Sequence, residues 1–152
     1  MIYLNQSENN LAAAVCSRNK WLTGNVVYLW SMNHKLSNQK FRFIPFILPP
    51  TLGNNPPSSV PYDVFCINID NTIPEVLTGA TYCGETNVHL IPGEYDLKVY
   101  EQSSSLSGNT NPSLAYDVVY ETLVNVVGVN QYDPTVWSGT SNTYVIYNAD
   151  ND

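Results

Sequence analysis

Residues 90–102 read LIPGEYDLKVYEQ, and the alternation inside this stretch decides the fold class. Tyr95, Leu97 and Val99 fall on one side of an extended chain, while Asp96, Lys98 and Tyr100 fall on the other. That is the period of two expected for a strand with one face on a core. The run SSSLSGNTNP at 103–112 follows, polar and with little to bury, and reads as a hairpin tip.

The same period recurs outward in both directions. IYLN at 2–5, LAAAVCS at 11–17, NVVYLWSM at 25–32, KFRFIPF at 40–46, DVFCINID at 63–70, NVHLI at 87–91, LVNVVGV at 123–129 and TYVIY at 143–147 bring the series to about nine candidate strands. Many of them are β-branched or aromatic. Two places have a helical alternative: SENNLAAAV, with Ser7 as a cap, and NPSLAYDVVY, with Asn111 and Pro112 as cap and first-turn residues. The expected fold is an all-β antiparallel β-sandwich of about 7–9 strands with at most one short helix. A chain of 152 residues is the usual size of one domain, so residues 1–152 are expected to form one.

Charged residues make up only 12% of the chain, and the net charge is −7. Six basic residues are too few for the concentrated cationic face that a free nucleic-acid binder needs. No apolar run is long enough to span a bilayer, and MIYLNQSENN has neither the basic region nor the apolar core of a signal peptide. No membrane role is expected, and the protein is expected inside the cell that makes it. Of the three cysteines, none sits in a metal-ligand spacing. Reduced buried thiols are the expected state, because Cys16 and Cys66 lie in apolar contexts; a bond between Cys66 and Cys83 is the alternative.

Catalytic patterns do not emerge. His34 and His89 belong to no H-E-x-x-H motif, and no G-x-S-x-G elbow is present. NIDNT at 68–72 reads as a turn stabilised by Asp70, with calcium as its alternative. No catalytic residue, cofactor or metal ligand is nominated. Tyrosines at 95, 100, 116, 120, 132, 144 and 147 leave a glycan-binding platform open as a different class of function.

Two features favour an interaction protein. LPPTLGNNPPSSVP at 48–61 carries Pro49, Pro50, Pro56 and Pro57, cannot join a sheet interior, and reads as an arm. The charge is also split along the chain: residues 1–62 hold Arg18, Lys20, Lys35, Lys40 and Arg42 against Glu8 alone, whereas all other carboxylates lie beyond. If the fold keeps these segments apart, a basic patch on one copy meets an acidic patch on the next; if the sheet mixes them, no such dipole exists. The candidate subunit interface is therefore Arg18, Lys20, Lys35, Lys40, Arg42, Pro49, Pro50, Pro56, Pro57, Tyr144 and Tyr147.

The stretch formed by Leu90, Pro92, Gly93, Tyr95, Leu97, Val99, Tyr100, Glu101 and Gln102, with the following NTNP and an acidic-then-valine strand, resembles small virion proteins of crAss-like and related tailed bacteriophages infecting Bacteroidetes. The opening YLNQSENN and the closing NTYVIYN at 142–148 are similar too; Glu121-Thr122-Leu123 departs, standing where such proteins commonly carry a glycine. The resemblance implies a non-enzymatic β-sandwich structural protein of the virion, assembled in the host cytoplasm. Expected partners are copies of itself in a ring or lattice and the portal, tail or major capsid protein. A ring subunit of the neck or tail is the first expectation, an auxiliary protein on the head the second, and a glycan-binding module the more distant third.

Overall fold

The computed structural model describes residues 1–14, 26–48 and 63–129. Within them lie eight strands: β1 (Ile2–Asn5), β2 (Glu8–Ala14), β3 (Val26–His34), β4 (Lys40–Phe43), β5 (Phe46–Ile47), β6 (Asp63–Ile69), β7 (Gly93–Ser103) and β8 (Asp117–Val127). They form a five-stranded sheet in the order β1-β8-β7-β3-β4 and a three-stranded sheet in the order β2-β6-β5. The fold is all-β and sandwich-like, as the alternation requires. One pair departs from the antiparallel expectation: β1 runs parallel to β8, with Ile2 opposite Val124.

The opening stretch supplies the middle of the larger sheet. In β7, Tyr95, Leu97 and Val99 are buried and Asp96 and Lys98 are exposed. β3 pairs along its whole length with β7, from Val26 opposite Ser103 to His34 opposite Tyr95. A bulge between Val99 and Tyr100 shifts the register against β8, and beyond it Glu101 and Gln102 are buried. Gln102 turns that burial to use: its amide Nε2 donates to the carbonyls of Leu106 and Asn109, at 3.0 and 3.1 Å, and so ties down the polar tip.

The core lies between the sheets. Trp30 stands at its centre, with ring centroids 5.2 Å from Phe65 and 6.0 Å from Phe43, and Tyr28 meets Phe65 edge-on. Such offset and edge-on pairs add to the burial of apolar area.

Both helical alternatives resolve against a regular helix. Ser7 has φ 60° and occupies a turn rather than a cap, and Asn10 clamps that turn, accepting from the Asn5 amide and donating to the Asn5 and Glu8 carbonyls. The chain thereby leaves the larger sheet and enters the smaller as β2. At Asn111 the capping geometry is present, its side chain accepting from the Ser113 amide, but the helix is a single 3-10 turn, Pro112–Leu114, before β8 begins. KFRFIPF is not one strand. Pro45 has no N–H to give a ladder, so the chain breaks there and passes from β4 in one sheet to β5 in the other.

NVHLI is corrected as well: it forms only isolated bridges through Asn87, to Asn68 and Val76. Asn87 is buried, its side chain donating to the Asp70, Ile73 and Pro74 carbonyls and accepting from the Asp70 amide, while its main chain exchanges hydrogen bonds with Val76. The thiol expectation is overturned for two cysteines. Cys66 and Cys83 are joined, with their Cα atoms 5.3 Å apart, within the range a disulfide spans. Phe65, Ile67 and Ile69 face the core, so Cys66 faces the opposite side of β6, where the loop anchored by Asn87 brings Cys83 onto it. Cys16, the arm at 48–61 apart from Leu48, and TYVIY lie outside the described residues.

Candidate assembly surface

β4 forms one edge of the five-stranded sheet. Its side chains divide by parity: Phe43 is buried and Phe41 packs on the core with its ring 5.9 Å from that of Tyr95, while Lys40 and Arg42 take the opposite, outer face. Across that face the register places Arg42 opposite Ser31, Ser31 opposite Lys98, and Lys98 opposite Glu121.

The cations on this face are not equivalent. Lys98 Nζ lies 2.9 Å from Glu121, and that hydrogen bond and charge raise its pKa above the ordinary lysine value. Lys35, in the β3–β4 turn, lies 3.7 Å from Glu94 and 3.8 Å from Asp96. Here the first part of the chain is neutralised by the second, so Lys35 contributes no free charge to a basic patch. Lys40 and Arg42 have no ion pair with any described carboxylate, and Arg42 Nε is buried without a hydrogen-bond partner.

The main chain of β4 is equally informative. The Gln39 carbonyl accepts from the His34 amide, toward β3, whereas the Ile44 amide donates outward to the Leu77 carbonyl at 2.8 Å. Alternation along a strand then points the amides and carbonyls of Lys40 and Arg42 away from β3, along the open edge. A groove of ≈ 350 Å³ runs beside them, lined by Phe41, Leu77 and Val88 and rimmed by Glu75 and His89. His89 fastens this rim: its amide donates to Glu75 and its Nε2 lies 2.7 Å from the Ile73 carbonyl.

Of the interface residues expected from sequence, Lys35, Lys40 and Arg42 are thus placed, two of them on one edge strand. Arg18, Lys20, Pro49, Pro50, Pro56, Pro57, Tyr144 and Tyr147 lie outside the described residues. Of the tyrosines of the glycan alternative, Tyr132, like Tyr144 and Tyr147, lies outside the described residues, and the described ones differ in exposure. Tyr95 is buried, Tyr100 and Tyr120 are half-buried, and Tyr116 is exposed. Asp70 forms the turn expected of it, accepting from the Thr72 amide and hydroxyl at 2.8 and 2.6 Å, which holds its carboxyl below the usual aspartate value. Among the described residues no three of His, Cys, Asp and Glu gather as metal ligands, and no helix is long and apolar enough to cross a membrane.

What sequence reasoning missed here is the edge itself. Pro45, directly after KFRFI, is the signal for it, since a strand ended by proline before a sheet change is a natural outer strand.

No family model, no curated protein and no solved structure matches this chain.

Proposed function

We propose that the chain is a non-enzymatic structural subunit of a tailed-phage virion, most simply a ring-forming subunit of the neck or tail between portal and tail barrel. Its partners are then copies of itself and the portal, tail or major capsid protein, and its location is the particle. The observation that carries an assembly role is the edge of β4: two adjacent cations without described carboxylate partners, on a chain whose net charge is −7. A basic site on an acidic molecule fits a head-to-tail contact, in which one copy offers the cations and the next the carboxylates. The virion assignment rests on the resemblance carried by Leu90–Gln102.

Quantitative mass spectrometry of purified particles tests the reading. A copy number close to that of the portal supports a ring, and a copy number close to that of the major capsid protein moves the subunit to the head surface. Absence of the chain from particles overturns the virion role.

A further inference from the structure

The outer face of the five-stranded sheet holds a bowl. Leu29 is fully buried yet takes the parity opposite to Trp30 and Met32, so it lies outside the core between the sheets. The polar tip covers it: Tyr100 stands opposite Leu29, the 3-10 turn Ser104–Leu106 lies against β3, and Gln102 ties the tip down through Leu106 and Asn109. Beyond this cover the same face stays open. A cavity of ≈ 300 Å³ remains there over β4, β3 and β7, with Tyr100 and Pro112 at the end nearest the tip.

The register builds the walls of this bowl. Arg42 and Lys98 both stand opposite Ser31, one on each side, and Lys40 and Asp96 flank Asn33 in the same way. A short serine between two long cations leaves a gap about 10 Å wide, two strand spacings. Lys98 is held by Glu121 and Asp96 by Lys35, so Lys40 and Arg42 keep the charge that no described carboxylate matches. Arg42 Nε and Asn33 Oδ1 are also covered without a hydrogen-bond partner among the described residues. Leaving both unmade is costly, and a small turn of each side chain would bring it to a ligand in the bowl. That ligand must offer an anionic acceptor to Arg42 and Lys40, and donors to the oxygens of Asn33 and Asp96. An ammonium donor would meet three cations, so neutral hydroxyls are the match.

We propose that the bowl binds a carboxylated pyranose, one residue of an acidic glycan. Arg42 takes the carboxylate in its planar fork with Lys40 beside it. Asn33 and Asp96 accept from ring hydroxyls, and Tyr100 and Pro112 meet the apolar side of the ring. The volume is small for a ligand pocket and suits one ring rather than a chain of them. This goes beyond the assembly reading, with which it shares Lys40 and Arg42. Asn33 lies on β3, inside the sheet and off the β4 edge, so it separates the two.

The test titrates the isotope-labelled full chain with the methyl glycosides of glucuronic, galacturonic and N-acetylneuraminic acids and follows its amide resonances. Saturable shifts centred on Ser31, Asn33, Lys98 and Tyr100 are expected with at least one of them; none with any of them overturns the site. Acetate or methyl glucoside shifting the same resonances as strongly also overturns it, since the first lacks the ring hydroxyls and the second the charge. Arg42→Gln should weaken binding about tenfold and Asn33→Ala about fivefold, with unchanged far-ultraviolet dichroism. The asparagine oxygen has no partner to lose, so the fold should survive its removal. Sedimentation of the Asn33→Ala protein should match the wild type. Lost self-association with sugar binding intact would assign Asn33 to the subunit contact and overturn the glycan site.

Discussion

Tyr95 does two jobs with one ring. It fills the core beside His34, with centroids 4.8 Å apart, and its hydroxyl donates to the Ile91 carbonyl at 2.6 Å, fixing the turn that leads into β7. Next to it Gly93, at φ 140°, leaves no room for a side chain: a Cβ there would stand 2.5 Å from His34 Nε2. Burial pushes the Tyr95 phenol up to about 12 from the ordinary value of 10.0, against a smaller opposing effect of the Ile91 hydrogen bond. The folded state thus disfavours the phenolate, so this stabilisation is complete below pH 10 and is lost as the pH rises through 12. Tyr95→Phe should cost about 1 kcal/mol near neutrality through the lost hydrogen bond. Urea titrations of both proteins from pH 8 to 12 should show the wild type losing that advantage above pH 10; a constant difference would refute the burial effect.

At the scale of elements, the Cys66–Cys83 bond, the Asn87 side chain and a few isolated main-chain bridges organise the loop between β6 and β7. Closing a separation of 17 residues stabilises by about 3 kcal/mol, chiefly by restricting the unfolded chain. Reductant should therefore lower the urea midpoint of the wild type, Cys83→Ser should lower it equally, and reductant should add nothing to the variant. An unchanged wild-type midpoint would show that the loop's hydrogen bonds hold it without the disulfide. The same elements mark where sequence reading succeeds and fails. Strand β7 was legible because it alternates and one face meets the core, whereas β3 and β6 were legible as β-branched and aromatic runs, buried without alternation at Tyr28–Trp30 and Phe65–Ile67. NVHLI alternates just as well, yet its main chain meets the end of β6 and Val76 only through isolated bridges at Asn87. Cysteine pairing depends on a loop returning over the far side of β6, and no local pattern encodes that return. The charge split was visible in the sequence, but which cations stay unpaired depends on register: Lys98 sits opposite Glu121 and Lys35 beside Glu94, while Lys40 and Arg42 form no ion pair with a described carboxylate.

Across the whole molecule, the chain passes between the two sheets at Gln6-Ser7 and again at Ile44-Pro45, so neither sheet can leave the shared core without pulling on the other. A single unfolding transition shared by the two sheets follows as the expectation. The β1–β8 pair is the longest closure described, joining Ile2 to Val124 and Asn5 to Val127. Contacts this distant in sequence carry a large loop-closure entropy and are expected to form late, after β3, β7 and β8 have made the surface on which β1 docks. Leu4 is the reporter of that step, since it is fully buried in the core from a strand of four residues. Leu4→Ala should cost about 2–5 kcal/mol and should express nearly all of it as faster unfolding, with the refolding rate almost unchanged, because its contacts are absent from the transition state. Stopped-flow refolding and unfolding across urea concentrations reads the two limbs separately. If refolding slows in proportion to the stability lost, β1 belongs to the nucleus, and the closure that unites the first and last described strands comes early rather than late.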